Sequence, residues 1–101
     1  MSTDNLLNTV RIEVEEHQAY LDLGLTLASL ATRCRTNRTY VSEALMQLGG
    51  FFEYIGKLRL AHFAEYRLNH PRATVDQVAQ ASGFRSRQTY YNVLKKLQMA
   101  G

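Results

Sequence analysis

The sequence predicts an all-α protein, with two similar helical subdomains joined by a long linking helix and preceded by an N-terminal helix. Apolar residues recur at spacings of three and four through most of the chain, as they do along one face of a helix. No stretch alternates with period two for long enough to form a strand. One proline and six glycines in 101 residues are too few for the turns of a β-sandwich.

Composition narrows the class further. The chain has 46% hydrophobic and 21% charged residues, the mix of an ordinary globular domain. No apolar run approaches the ~18 residues of a membrane span, and no basic leader precedes an apolar stretch. A single cysteine, Cys34, cannot form an internal disulfide, which favours a reducing compartment. We therefore expect a cytoplasmic protein with no membrane partner.

The net charge of +3 conceals an asymmetry along the chain. Residues 1–26 carry a balance of −4, whereas residues 27–101 carry +7. A basic region behind an acidic lead-in predicts a polyanionic partner for the larger part. The alternative is a solvated surface that happens to be basic.

The predicted elements of the first half follow from caps and apolar spacing. A first helix is expected over residues 5–19. Thr26 is expected to cap a short second helix, and Thr36 or Asn37 to cap a third that ends near residue 48. The expected buried positions are Leu6, Val10, Val14, Leu27, Leu30, Ala31, Val41, Ala44, Leu45 and Leu48.

The second half begins after the clearest break in the chain, the adjacent glycines at 49 and 50. A long helix is expected over residues 52–69, ended by Pro71. Residues 74–77 form a capping-box pattern that opens a short helix, and Ser86 is expected to cap the last helix after a turn at Gly83. The expected buried positions are Ile55, Leu58, Leu68, Tyr90, Val93, Leu94 and Leu97.

An internal repeat relates the two halves. Residues 26–31 match residues 74–79 at an offset of 48, and the buried positions of the following helices align at an offset of 49. The repeat predicts two helix-turn-helix units, at residues 26–48 and 74–97, held apart by the linking helix. A plain helical bundle with a duplicated hairpin is the alternative.

These segments resemble the DNA-binding domain of AraC/XylS-type transcription regulators. Residues 82–91 are similar to the family's Gly-Phe-x-Ser-x-x-x-Phe segment, with Tyr90 in the Phe place. Residues 37–42, 54–60 and 78–79 also match, in the same order and at nearly the same spacing. The resemblance covers about residues 20–99. It implies the C-terminal double helix-turn-helix domain of a bacterial transcription regulator, which places two recognition helices in successive major grooves of double-stranded DNA.

The resemblance also sets expectations about organisation. Residues 1–22 are an acidic helix and connector, and residues 23–101 are the DNA-binding domain. The 101 residues leave no room for the sensor or dimerisation domain that most members carry, so we expect either a C-terminal domain or a small stand-alone regulator. That domain and RNA polymerase are further partners that the resemblance implies. Arg35 stands where the first turn often has glycine, and a positive φ there would strain it.

The last helix leaves a polar face once its buried positions are removed. Gln88 and Asn92 are four apart, hence on one side, and the resemblance gives them base-reading positions. Amides can pair bidentately with adenine, while Arg87 can take guanine. The expected phosphate contacts of this unit are Ser86, Tyr91, Lys95 and Lys96. The alternative is that Lys95 and Lys96 serve solubility and that Tyr91 is simply exposed.

In the first unit the resemblance places Thr39 and Glu43 at the base-reading positions. A carboxylate repels phosphate and only accepts from cytosine or adenine amino groups. Either Glu43 reads such a base, or this unit binds weakly and mainly orients the protein, which we favour. Arg35 and Arg38, helped by Arg33, are the expected phosphate contacts. Arg59 of the linking helix is expected to form a structural pair with Glu65 or Asp76.

The remaining residues predict no enzyme and no cofactor. His17, His62 and His70 lack metal-ligand spacing with Cys34 or with one another. No nucleophile–base pattern, paired carboxylates or glycine-rich phosphate loop stands out, and Cys34 is expected to be a small core residue. The alternative function is a protein-interaction module that kept the helix-turn-helix shape but lost DNA binding, with its acidic first helix docking a partner.

Overall fold

Helices make up most of the chain. The computed structural model describes the backbone of residues 3–100 and the side chains of residues 5–98; the terminal residues 1, 2 and 101, which the predicted domain division includes, lie outside it. No β-strand occurs within residues 3–100, which confirms the all-α class. The α-helices are α1 (Thr3–Arg11), α2 (Leu27–Arg33), α3 (Arg38–Leu45), α4 (Phe51–Asn69), α5 (Val75–Ala81) and α6 (Arg87–Ala100).

A first hydrophobic cluster joins α1, α2, α3 and the beginning of α4. Apolar side chains that recur along each helix meet in it, because each helix turns one face inward. Apolar side chains between Leu6 and Ala19 therefore share a core with α2 and α3. Its fully buried members include Val10, Val14, Leu30, Val41, Ala44 and Leu45, all of which the sequence predicts.

The first helix is shorter than the sequence predicts. After Arg11 the chain widens into a π-helical segment, Ile12–Glu16, where the His17 N–H donates to the Ile12 carbonyl at 3.0 Å. Gln18 then adopts a left-handed conformation with φ 58°. A 3-10 turn, Ala19–Leu21, follows. Ala19, at the start of this turn, is buried in the first cluster.

Helix α4 runs from the first cluster to the second. Phe63 contributes to the second cluster, together with Val78, Ala79 and Phe84 from the second half. The Phe63 and Tyr90 rings stack at a centroid distance of 3.7 Å, which fastens α6 to α4. The predicted buried positions of α6, Tyr90 among them, are half-buried rather than enclosed.

Leu68 contradicts the prediction that it is buried, because its side chain is 82% exposed. At about 100° per residue, position 68 lies roughly 140° around the helix from Phe63. It therefore faces away from the cluster that Phe63 enters. Helix α4 instead buries Gly56, and a Cβ there would come within 2.8 Å of a Leu97 methyl carbon.

A hydrogen bond between Tyr54 and Glu15 ties α4 to the π-helical segment. The Tyr54 hydroxyl donates to Glu15 Oε2 at 2.6 Å. Burial of the ring, and then the hydrogen bond and charge of Glu15, raise the pKa of Tyr54 well above its ordinary value. The phenol thus stays protonated in the folded state at a pH where the unfolded chain ionises.

Replacing this phenol in Tyr54→Phe should lower the free energy of unfolding by about 1–2 kcal/mol at neutral pH, since a hydrogen bond to a charged group is lost. The wild-type advantage is full below pH ~10 and declines as pH rises above it, because the unfolded tyrosine ionises first. Urea unfolding at several pH values from 7 to 11 checks this. Tyr40→Phe, at an exposed ring, is the control; a gap that stays constant to pH 11 would contradict the coupling.

Candidate nucleic-acid interface

The sequence repeat is reproduced in the backbone of two helix pairs, α2–α3 and α5–α6. Each pair opens with a capping box: Thr26 Oγ1 accepts from the Ser29 N–H at 3.0 Å, and Thr74 Oγ1 from the Gln77 N–H at 3.1 Å. In return, the side-chain oxygen of the residue at the third helical position accepts a hydrogen bond from each threonine N–H. Both caps confirm the sequence prediction.

The turns within the two pairs also correspond. The Thr36 N–H donates to the Ala31 carbonyl at 3.0 Å, and 48 residues later the Phe84 N–H donates to the Ala79 carbonyl at 2.9 Å. In each turn the preceding residue is left-handed, Arg35 with φ 57° and Gly83 with φ 92°. The turn thus does need a positive φ at position 35, the condition under which the sequence predicts strain, because arginine lacks the freedom of glycine.

Each second helix begins at a side-chain cap. Asn37, rather than Thr36, accepts from the Tyr40 N–H at 3.0 Å and opens α3. Ser86 Oγ accepts from the Thr89 N–H at 3.2 Å and opens α6. These caps are 49 residues apart, so the second turn is one residue longer than the first.

Helix α6 brings the predicted contact residues of the second unit, other than Ser86, onto one exposed side. Gln88 Nε2 donates to Asn92 Oδ1 at 3.0 Å, so the two amides are neighbours, as their spacing predicts. The exposed side chains on and beside this face are Arg87, Gln88, Tyr91, Asn92, Lys95 and Lys96.

Backbone N–H groups at the start of α6 already have hydrogen-bond partners within the protein, which the sequence does not indicate. Ser86 is half-buried, and its hydroxyl also lies 3.2 Å from Thr89 Oγ1. Asp76 Oδ1 accepts from the Arg87 N–H at 3.2 Å, across from α5. Sequence reasoning missed Asp76 here, because no local pattern places the first turn of α5 beside the first turn of α6.

A cavity with a volume of about 460 Å³ lies between the start of α4 and the exposed side of α6. Lys96 Nζ sits 5.5 Å from the centroid of the Phe52 ring, within reach of a cation–π interaction. The ring itself is 48% exposed. Phe52 was not predicted to contribute, since only the packing of α4 on α6 brings it there. The lining residues are Phe52, Thr89, Asn92, Val93, Lys95 and Lys96.

Helix α3 also presents polar side chains. Arg38, Thr39 and Glu43 are exposed and border a shallow depression beside Leu27. Arg35 is exposed in the turn that precedes α3.

Arg33 is engaged elsewhere than the sequence predicts. Its guanidinium lies 3.9 Å from Glu13 Oε2 and 3.6 Å from Asp22 Oδ2. Two carboxylates of the acidic N-terminal segment therefore partly neutralise the charge of Arg33.

Arg59 has partners other than the carboxylates of Glu65 or Asp76, so that prediction is wrong. Its Nε donates to the Tyr20 carbonyl at 2.6 Å and its Nη2 to the Asp22 carbonyl at 2.9 Å. Burial lowers the pKa of Arg59, while the charge of Asp22 acts in the opposite direction. The connector before α2 packs along α4 here, a contact that sequence spacing does not reveal.

The other titratable residues occupy structural positions. Cys34 is buried in the first cluster, and burial, reinforced by Glu13, raises the pKa of its thiol. His62 Nδ1 lies 2.9 Å from Ser82 Oγ. Among the described residues, no three His, Cys, Asp or Glu side chains are grouped to hold a metal ion, and no helix is long and apolar enough to cross a membrane.

Arg35→Gly should raise the free energy of unfolding by about 0.5–1 kcal/mol, because a left-handed conformation strains a side chain with a Cβ. The same variant should weaken DNA binding if Arg35 contacts phosphate. Gln18→Gly is the matched control, since φ is 58° at Gln18 and 57° at Arg35. Thermal unfolding and duplex titration of both variants check this; equal DNA affinity for both would remove Arg35 from the contacts.

Comparison with known proteins identifies no relative of this chain. Protein-family models, curated proteins and solved structures were each searched with the chain, and none matches it. The repeated helix pairs and their polar faces are therefore the basis on which a function can be assigned.

Proposed function

We propose that this chain is a sequence-specific double-stranded DNA-binding domain of a bacterial transcription regulator of the AraC/XylS type. In this proposal α2–α3 and α5–α6 are helix-turn-helix units, with α3 and α6 as recognition helices. The observation that carries it is the repeated geometry. Two short helices are capped alike, turn alike through a left-handed residue, and each lead into a helix with an exposed polar side.

In this proposal helix α6 contributes more to base recognition than helix α3. A recognition helix lies in the major groove with its N-terminal residues against base edges. Arg87, Gln88 and Asn92 lie in the first two turns of α6. An amide pairs with the N6 and N7 edge of adenine, and a guanidinium with guanine. Lys95 and Lys96 follow one turn later and meet the phosphate backbone, with Tyr91 packed beside it.

Helix α3 contributes less affinity. Thr39 and Glu43 occupy the corresponding positions, and a carboxylate there accepts from cytosine or adenine amino groups but repels phosphate. Arg35 and Arg38 offset that repulsion through phosphate contacts. Arg33 supplies less, because Glu13 and Asp22 already lie beside it.

Asp76 and Ser86 change the role of the α6 N-terminus. A helix start favours anions through its free N–H groups. Here the Arg87 and Thr89 N–H groups already donate to Asp76 and Ser86. Ser86 therefore serves chiefly to hold α6 in place, and the phosphate contacts of this unit fall to the cationic side chains.

Fluorescence anisotropy of a labelled random-sequence duplex, repeated at several salt concentrations, tests this function. If four to six phosphates are neutralised, log affinity should fall with log salt at a slope of roughly −4 to −5. Selection from a random library should then yield a site bound at least ~10³-fold more tightly. A folded protein that binds no duplex at ~50 mM salt would overturn the proposal and favour a protein-interaction module.

A further inference from the structure

Two residues on one side of α4 reach parts of the chain on either side of it. Arg59 and His62 are three residues apart and hence neighbours on the helix surface. Arg59 bonds the carbonyls of Tyr20 and Asp22, in the connector that precedes α2. His62 bonds Ser82, a fully buried residue in the turn between α5 and α6. One helix face thus links the two helix pairs.

The connector and the α5–α6 turn also touch each other directly. A Cβ on Gly83 would lie 2.5 Å from the Tyr20 carbonyl oxygen and 2.7 Å from Arg59 Nε. Real Cβ atoms do not approach this closely, so the backbone at Gly83 is packed against both groups. The Tyr20 ring adds an edge contact to His62, at a centroid distance of 6.1 Å. We call these residues the Arg59 junction: Tyr20, Asp22, Arg59, His62, Ser82 and Gly83.

We propose that Arg59 is a positioning residue that sets the orientation of α6 relative to α3, and with it the spacing of the two DNA half-sites. This role rests on the proposed function. Helix α4 fixes the separation of the two pairs and the Phe63–Tyr90 stack fastens α6 to it, so the motion left to oppose is rotation of one pair against the other about the α4 axis. Arg59 holds the connector with two hydrogen bonds at the place where the α5–α6 turn packs, and so opposes that rotation.

The consequence for binding is one of preorganisation. When two reading helices belong to one rigid body, the second half-site is bound at high effective concentration after the first. Recognition helices that read successive turns must be about 34 Å apart along the duplex. If one helix pair is free to rotate against the other, its recognition helix can enter the second major groove in only a fraction of its orientations. Loss of the Arg59 hydrogen bonds should therefore weaken two-site binding much more than one-site binding.

The orientation can be measured without DNA. Nitroxide labels on Thr32→Cys in α2 and Gln80→Cys in α5, both exposed positions, report the distance between the pairs by pulsed electron resonance. Cys34 is replaced by alanine in all samples. We expect a narrow distance distribution for otherwise wild-type protein, and a broader one for Arg59→Ala and Arg59→Lys. Lysine keeps the charge but cannot span both carbonyls.

Lys57→Ala is the matched control for this measurement. It removes an exposed cation of α4 that pairs only with Glu53 among the ion pairs of the described chain. Its distribution should match that of wild type. Circular dichroism establishes that each variant is folded, and Arg59→Lys keeps the test decisive if Arg59→Ala unfolds. An unchanged distribution in a folded Arg59 variant would overturn the positioning role.

DNA binding provides the second readout. The probes are a two-half-site duplex selected with wild-type protein and the same duplex with the half-site of α3 scrambled. Arg59→Lys should lose ~10-fold in affinity on the first and under ~2-fold on the second. Equal losses on both would overturn the role. If wild type binds neither duplex, the proposed function and the link to half-site spacing fall, while the distance distribution alone decides whether Arg59 orients the two helix pairs.

Discussion

Lys95→Glu with Lys96→Glu should weaken binding to every duplex by about 100-fold at ~100 mM salt. Each reversal removes a proposed phosphate contact and adds a repelled charge on the exposed side of α6. Because phosphates are the same in every sequence, the loss should be uniform between selected and random duplexes. The slope of log affinity against log salt should become shallower by about two. Anisotropy titrations on both duplexes at several salt concentrations measure these quantities.

Lys57→Glu with Arg72→Glu is the matched control, since it changes the net charge equally at two exposed residues that are not among the proposed DNA contacts. It should retain affinity within a few-fold. An equal loss in both double variants would mean that overall charge, rather than the α6 surface, governs binding. Unchanged binding by the α6 variant would remove both lysines from the interface.

Gly83→Ala should destabilise the fold by about 3–4 kcal/mol. A left-handed backbone costs an alanine ~1–2 kcal/mol, and φ at Gly83 is 92°. The added methyl would also meet the Tyr20 carbonyl at 2.5 Å, where backbone must move, and such overpacking costs ~1–3 kcal/mol. Total stabilities of small domains are only about 5–15 kcal/mol. The variant should therefore unfold at much lower urea concentration.

Gly24→Ala provides the comparison for this prediction. Its Cβ would meet nothing nearer than Asp22 Oδ1 at 3.6 Å, which is ordinary van der Waals contact, and no left-handed φ is required there. Its unfolding free energy should stay within about 0.5 kcal/mol of wild type. Urea unfolding followed by circular dichroism measures both. A cost at Gly83 below ~1 kcal/mol would show that the junction can open without penalty.

The caps and turns could be predicted from sequence because they depend on residues a few positions apart. Thr26, Asn37, Thr74 and Ser86 each accept a hydrogen bond from three residues downstream. Such contacts are encoded locally and do not depend on how the helices pack. The same holds for the neighbouring amides of α6. The base and phosphate contacts assigned to these helices remain predictions.

Features that arise from packing could not be predicted. The partners of Arg59 lie 37 and 39 residues away, and they are backbone carbonyls, which carry no sequence signal. Phe52 meets Lys96 only because α4 and α6 pack together. The π-helical segment places Val14 in the core at a spacing that an α-helix would also satisfy, so periodicity gives no indication of the change. The prediction that Leu68 is buried is wrong for a related reason: an apolar residue near a helix end need not contact the core.

In the proposed DNA interface, the hydrogen bond between Gln88 and Asn92 would make the two amides a single recognition element. Gln88 Nε2 donates one of its two N–H groups to Asn92 Oδ1. The Gln88 oxygen can still accept a hydrogen bond and the Asn92 nitrogen can still donate one. Adenine offers the complementary pair, an N6 amino group and an N7 acceptor. In a groove these two side chains would share one base rather than read two, and neither could be exchanged without changing what the other recognises.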